Sequence, residues 1–222
     1  MPRYRTAIFD LDGTLVDSLP GIKYALAESI RLVLPETVVQ LPDLRPYIGP
    51  PLPELIKLLF PNLPSDTMVR LSMQFRSIYD DAGWQRTVLC EGVIKIISWL
   101  KGHDIGCFLV TNKRFHPTLQ ILINHNLLPF FQEFVTPDID KKPFKSKEVM
   151  IRYLIEKHRL QPDQTIMVGD TAGDAEAARS CGLDFAFAAY GYGNMNQFKD
   201  EPIVFLLNRP SDLLRIFKRG NE

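Results

Sequence analysis

Ile8-Phe9-Asp10-Leu11-Asp12-Gly13-Thr14-Leu15-Val16-Asp17-Ser18 is the stretch on which the reading of this chain turns. An apolar run from Thr6 to Phe9 stops at two carboxylates spaced two apart, followed by a glycine and a small hydroxyl residue. A run of that kind predicts a buried strand, and its end places Asp10 and Asp12 where the sheet opens. In open α/β sheets ligands bind outside the carboxyl ends of the strands. Two acids at such a point call for a cation or a proton to offset them. A divalent-metal site with a nucleophilic aspartate is one reading. An Asp-Gly turn that only leads into the next helix is the other.

Outward from this stretch, residues 17 to about 33 carry Ile22, Leu26, Ile30 and Val33 at helical spacing. A proline-punctuated connector follows, with Arg45-Pro46-Tyr47-Ile48-Gly49-Pro50-Pro51-Leu52 as its stiffest part. Short helices are predicted over 54–60 and 65–81, the latter with Val69, Met73 and Ile78 on its apolar face. Residues 17 to about 86 thus give no strand signal. From Thr87 helix and strand patterns alternate: helix 91–101, strand 107–110, helix 116–126, strand 134–136, helix 146–158 and strand 165–168. Helix 174–181, strands over 185–189 and 203–206, and a terminal helix opened by Ser211 complete the series. Strands separated by helices predict a parallel sheet covered on both faces. The expected fold is α/β, a Rossmann-like parallel-sheet core of residues 1–16 and 88–222, with an all-helical cap inserted at 17–87. A module at that place would close over the acidic pair and exclude water.

Composition narrows the function. The chain has 222 residues, 45% hydrophobic and 23% charged, as in ordinary globular proteins. Its 26 acidic and 26 basic residues cancel, so no overall field favours nucleic acid or an anionic membrane. No run approaches the roughly 18 apolar residues of a membrane span, and the start lacks a signal-peptide pattern. Three scattered cysteines, Cys90, Cys107 and Cys181, without a CxxC pair, fit a reducing compartment. The expectation is a cytoplasmic protein with no nucleic-acid or membrane partner. Its oligomeric state is left open.

Three predicted strands end in polar residues of different kinds. The first gives Asp10 and Asp12. Cys107-Phe108-Leu109-Val110 gives Thr111 and Asn112, and Ile166-Met167-Val168 gives Gly169-Asp170-Thr171-Ala172-Gly173-Asp174. Asp10, Asp12 and Asp170 together would repel one another, and Mg²⁺ is the cation that oxygen-only ligands suit. A phosphate brought to such a site needs the metal, a lysine and hydrogen-bond donors together. Lys141, Lys142, Lys145 and Lys147 lie between the second and third strand ends. A lysine run is also the ordinary composition of a solvated loop.

In order along the chain, Asp-Leu-Asp-Gly-Thr-Leu-Val-Asp-Ser, Val-Thr-Asn-Lys, a lysine and Val-Gly-Asp-Thr-Ala-Gly-Asp resemble the haloacid dehalogenase-like hydrolase superfamily, and within it the phosphoglycolate phosphatase-like branch. The resemblance covers nearly the whole chain. It implies a phosphatase for small phosphomonoesters, phosphoglycolate-like or sugar phosphates, that works through an aspartyl-phosphate. Asp10 would be the nucleophile and Asp12 the proton carrier. Mg²⁺ would be held by the Asp10 carboxylate, the Asp12 main-chain carbonyl and Asp170. Thr111 and Asn112 would bind phosphate oxygens, and Asp174, supported by Gly169, would orient the lysine or a metal-bound water. Superfamily dehalogenases lack the second aspartate, which disfavours dehalogenation.

Two departures stand out. Lys142-Pro143-Phe144-Lys145 only half matches the branch's Lys-Pro-x-Pro, and spacing from Asp170 favours Lys147, then Lys145, over Lys142. Glu91 replaces a common proline. Arg45, beside Ile48-Gly49-Pro50-Pro51-Leu52, resembles a substrate-specificity loop and would meet a substrate carboxylate, or is a surface arginine on a stiff turn. A phosphomutase of the β-phosphoglucomutase type shares these motifs, and a non-catalytic phosphate-sensing module is the alternative outside catalysis.

Overall fold

Strand β1 (Thr6–Phe9) is fully buried and lies at the centre of a six-stranded parallel sheet. The computed structural model describes residues 3–36, 40–139, 143–198 and 203–218. The sheet is completed by β4 (Gly106–Val110), β5 (Glu133–Val135), β6 (Thr165–Gly169), β7 (Asp184–Ala188) and β8 (Phe205–Leu207), in the order β5-β4-β1-β6-β7-β8. Its side chains alternate between two cores, as a period of two requires. Ala7, Phe9, Cys107, Leu109, Ile166 and Val168 face one layer. Ile8, Phe108, Val110 and Met167 face the other. Helices α4 (Val93–Gly102), α5 (Phe115–Asn124) and α8 (Leu214–Lys218) cover the first face. Helices α6 (Lys147–His158) and α7 (Ala172–Ser180) cover the second. A sheet enclosed in this way explains why its strands read as continuous apolar runs.

The strand order fixes where a site can form. After β1 the chain pairs on one side through β4 and β5, then crosses to the other through β6. Phe9 is in register with Leu109 on one neighbour and Val168 on the other. The carboxyl ends of these three strands therefore meet at the point where the winding reverses, the crevice that open α/β sheets use.

Between β1 and β4 the chain leaves the core and returns. Helices α1 (Leu19–Val33), α2 (Leu52–Leu59) and α3 (Ser65–Ile78) enclose an apolar cluster of their own, centred on Leu26, Leu44, Ile56 and Leu71. This is the inserted helical cap. It ends in a wide turn with π-type hydrogen bonds over Tyr79–Gly83 and a single 3₁₀ turn over Trp84–Arg86.

Several expectations need correction. The third cap helix is α-helical to Ile78 and runs on with π-type hydrogen bonds to Gly83, and Val69 and Met73 are 59% and 63% exposed. Leu71, Phe75 and Tyr79 form the parallel i, i+4 line that is buried instead. The larger aromatic pair lies on that line, so burying it removes more apolar surface from water. Residues 17–86 also contain part of a strand. Strand β2 (Val16–Asp17) pairs antiparallel with β3 (Val88–Leu89) and ties together the two chain crossings. Two residues cannot display a period, which is why the pattern is silent there. At the far end Pro210–Leu213 is 3₁₀ and the α-helix opens at Leu214, not Ser211.

Leu71 is fully buried in the cap cluster. Leu71→Ala is expected to cost about 2–5 kcal/mol of stability, through lost burial and the cavity left behind. Denaturant titration of both proteins measures it, and a cost under about 0.5 kcal/mol, the range of surface substitutions, would contradict the packing.

Candidate active site

Asp10 is the first residue beyond β1, and its N–H donates to the Val168 carbonyl at 2.9 Å. That bond continues the parallel ladder by one step and directs the carboxylate out of the sheet edge. Asp10 is 5% exposed and Asp170, the first residue beyond β6, is wholly buried. With Asp174 they form a group whose carboxylate oxygens lie within 4.8 Å of one another.

One buried cation answers this charge. Lys147 Nζ lies 2.7 Å from Asp10 Oδ1 and also pairs with Asp174 Oδ1. Local sequence delivers it there. Ser146 caps α6, its hydroxyl accepting from the Val149 N–H at 3.3 Å, so Lys147 is the first residue of the helix and points to the sheet edge. A cation is disfavoured at a helix N-terminus, so the two carboxylates must hold it. Burial works against the Lys147 charge, but Asp10 and Asp174 outweigh it and raise its pKa. Lys145 also lines the cavity beside the site, without reaching Asp10. Lys141 and Lys142 lie outside the described residues.

Asp174 has two tasks. Its Oδ2 accepts from the Thr171 N–H at 3.0 Å and the Thr171 hydroxyl at 2.7 Å, a capping box that starts α7. Its Oδ1 is then left to face Lys147. Gly169 is where backbone and this carboxylate crowd together, since a Cβ there would stand 2.7 Å from Asp174 Cγ.

Asp12 sits differently. It lies in the turn that Gly13 closes at φ +83°, its Oδ2 is 2.9 Å from Lys113 Nζ, and its Oδ1 is buried with no hydrogen-bond partner. A Cβ on Gly13 would fall 2.1 Å from Asp170 Oδ2, so the turn can approach Asp170 only as glycine. Thr111 is buried beside Asp10 and Asp12 at the cavity wall, while the Asn112 amide donates to the Gly49 carbonyl of the cap at 3.2 Å.

Between these residues and the cap lies a cavity of about 490 Å³, with Ile48, Leu55 and Phe75 on its cap side. Arg45 is not among the residues that line it. Arg45 is exposed on a 3₁₀ turn whose first N–H is held by Asp43, the arrangement described by the surface-arginine reading. The guanidinium groups at the cavity wall are those of Arg76 and Arg114. Arg76 escapes sequence reading because a cap arginine on an exposed helix face looks like any surface arginine, and Arg114 because it opens a core helix outside the quoted motif.

A fourth strand end was also missed. After β7, the Tyr192 N–H donates to Asp170 Oδ2 at 2.7 Å. Its hydroxyl donates to Asp17 Oδ1 at 2.7 Å and accepts from the Ser18 and Leu19 N–H groups. Gly191-Tyr192-Gly193 was the available signal, a Gly-x-Gly directly after an apolar strand.

The electrostatics follow from burial. Desolvation raises the Asp10 pKa to about 7, with Lys147 pulling it down and Asp174 pushing it up. Burial, then the neighbouring Asp10 and Asp174, raise Asp170 well above the carboxylate range. The cluster thus holds more negative charge than Lys147 balances. An oxygen-ligand divalent cation fits that imbalance.

The family model described as haloacid dehalogenase-like hydrolase matches residues 7–188. The chain belongs to this family. It is 29% identical over 217 residues to phosphoglycolate phosphatase of Vibrio vulnificus, covering 94% of this chain and 93% of that protein. It is also 29% identical over 206 residues to phosphoglycolate phosphatase of Nitrosococcus oceani, covering 87% of each. Among solved structures, a predicted phosphatase from Clostridium acetobutylicum superposes with a TM-score of 0.84 at 27% identity, covering 96% of this chain and 97% of that one. A predicted phosphoglycolate phosphatase from Haemophilus somnus superposes at 0.85 with 24% identity, and at that identity the likeness speaks to the fold. Among the described residues, no helix is long and apolar enough to cross a membrane.

The raised carboxylates set a pH dependence. Their folded pKa values lie above the unfolded ones, so the metal-free protein loses stability as pH rises from about 4 towards 7, where only the unfolded state ionises. A cation must displace the proton that Asp10 retains at low pH. Mg²⁺ in large excess is therefore expected to raise Tm by several degrees, roughly 5 °C, at pH 8. At pH 5 the shift should be much smaller. Equal shifts at both pH values in thermal melts would remove these carboxylates as the binding site.

Proposed function

We propose that this chain is a Mg²⁺-dependent phosphatase of small phosphomonoesters, acting through an aspartyl-phosphate on Asp10. The observation that carries the reading is the Asp10–Lys147–Asp174 chain of contacts at the mouth of the capped cavity, with Asp170 and Thr111 alongside. The names of the relatives agree with it, and the substrate class it points to is phosphoglycolate-like acids or sugar phosphates. Free thiols at Cys90, Cys107 and Cys181 go with the cytoplasmic setting expected for such an enzyme.

The Asp10 and Asp170 carboxylates and the Asp12 main-chain carbonyl would hold the Mg²⁺. When bound, the ion supplies Lewis-acid neutralisation of phosphate charge. Everything else falls to the chain. Lys147 sets the Asp10 carboxylate in place and offsets the charge of the incoming phosphate. Asp10 attacks phosphorus as a carboxylate and the bond to the ester oxygen breaks. Asp12 gives its proton to that departing oxygen. A water then attacks the phosphorus of the acyl phosphate, Asp12 takes the water's proton, and Asp10 is restored as orthophosphate leaves. The Thr111 hydroxyl donates to a phosphate oxygen. The Asn112 amide, already bonded to Gly49, acts at the boundary of cap and core. The cap excludes water between the two steps.

Asp10→Asn is expected to abolish phosphate release from every phosphomonoester, including an aryl phosphate, with an unchanged circular-dichroism spectrum. Asp12→Asn should slow turnover by about 10²–10⁴-fold and leave phosphate covalently on the protein, detectable by intact mass. Near-wild-type activity in Asp10→Asn would sink the mechanism. Continuous orthophosphate release by the wild type, rather than accumulation of an isomer, separates the phosphatase from a phosphomutase.

A further inference from the structure

Residues Asn112, Lys113 and Arg114 follow one another out of β4, and each bonds a different part of the cap. Asn112 donates to the Gly49 carbonyl, Lys113 Nζ donates to the Tyr79 hydroxyl at 2.9 Å, and Arg114 pairs with Asp80. Lys113 and Arg114 are thus matched to the consecutive cap residues Tyr79 and Asp80, at the wide turn where the cap hands the chain back. Among the three, Lys113 also bonds Asp12, through Oδ2 at 2.9 Å.

We propose that Lys113 is a positioning residue for Asp12, and that its bond to Tyr79 makes the orientation of the Asp12 carboxylate depend on where the cap sits. The inference rests on the functional reading above, in which Asp12 moves protons. Asp12 stands beyond the strand, in a turn, where its own χ torsions would let it swing. Its Oδ1 has no partner, so the Lys113 contact is what holds the carboxylate. Lys113 is itself restrained. Its side chain is 8% exposed, its N–H donates to Thr111 Oγ1 at 3.2 Å, and its Nζ lies 4.6 Å from the centre of the Tyr79 ring.

Tyr79 is the cap's side of the link. Its ring stacks on Phe75 at 5.6 Å, so it moves with α3 and not with the core. An ammonium has three donors, and here one goes to the acid/base carboxylate and one to the cap. A shift of the cap that takes the Tyr79 hydroxyl away leaves a buried ammonium short of a partner, which is costly enough to move it and Asp12 together. Proton transfer requires heavy-atom reach of about 3 Å, so a proton carrier that swings with the cap is competent only when the cap is placed for reaction.

The test exploits leaving-group chemistry. Phosphoglycolate loses its glycolate as a poor alkoxide that needs a proton, and dinitrophenyl phosphate loses a stable phenolate that does not. The ratio kcat/KM covers binding and the first phosphoryl transfer alone. Lys113→Met, which keeps the stem and removes the ammonium, is expected to lower kcat/KM for phosphoglycolate by about tenfold to a hundredfold and for dinitrophenyl phosphate by at most a few-fold. Tyr79→Phe keeps the ring and should show the same selectivity at smaller size, and it decides the matter if Lys113→Met does not fold. Asp80→Asn breaks the adjacent cap contact without touching Asp12 and should leave the ratio between the two substrates unchanged. Equal losses on both substrates in Lys113→Met or Tyr79→Phe, or a matching selectivity in Asp80→Asn, would overturn the proposal. A wild type inactive on both phosphates would overturn the functional reading and this inference with it.

Discussion

A buried ammonium shared between two carboxylates at the edge of a parallel sheet is the contact around which the core is arranged. Lys147 joins Asp10, which ends β1, to Asp174, which starts α7. Removing Lys147 would leave both carboxylates uncompensated in a low-dielectric site, so the three are interdependent in a way that apolar contacts are not. This explains local choices that otherwise look unrelated. Ser146 must cap α6 at that residue, because a cap one position earlier or later would turn Lys147 away. Gly169 must lack a side chain, because Asp174 occupies the space beside it.

The balance is incomplete by design of the fold. Lys147 satisfies one oxygen of Asp10 and one of Asp174, while among the described residues Asp170 takes only the Tyr192 N–H and a long bond of 3.4 Å from the Thr14 hydroxyl. Burial then pushes both Asp10 and Asp170 towards the protonated form. In the proposed reaction the nucleophilic carboxylate has to be ionised, and further positive charge bound at the site would favour that form. Under the proposed function, coupling of this kind would tie metal occupancy to activity without any moving part.

Most of the core was legible because each of its requirements leaves a local mark. Strands buried on both faces read as apolar runs, and each functional strand end is announced by a polar residue directly after such a run: Asp10, Thr111, Asp170. The family model and the six-stranded order agree with the parallel-sheet core. The cap was legible as helix but not in its facing. Val69-Met73 and Leu71-Phe75-Tyr79 have the same period, and only the presence of α1 on one side decides between them. Arg45 keeps two readings in the sequence for a related reason. A stiff proline loop shows where the chain turns, not which way an arginine on it projects. Lys113 lies within the Val-Thr-Asn-Lys motif without a local mark of its contacts, because its partners, Asp12 and Tyr79, are distant from it in sequence.

The cap's attachment shows how one segment serves both bodies. The chain crosses between core and cap twice, at β2 and β3, and the two crossings are paired to each other. Tyr192 secures the outgoing crossing by its hydroxyl to Asp17, Ser18 and Leu19, and holds Asp170 by its N–H. Lys113 and Arg114 secure the returning side at Tyr79 and Asp80. Each crossing is therefore bonded to a residue that also bonds an acid of the site, Asp170 on one side and Asp12 on the other. A cap hinged on such contacts cannot change its angle without disturbing the carboxylates beneath it. Cap position and site geometry are then two readings of the same set of bonds.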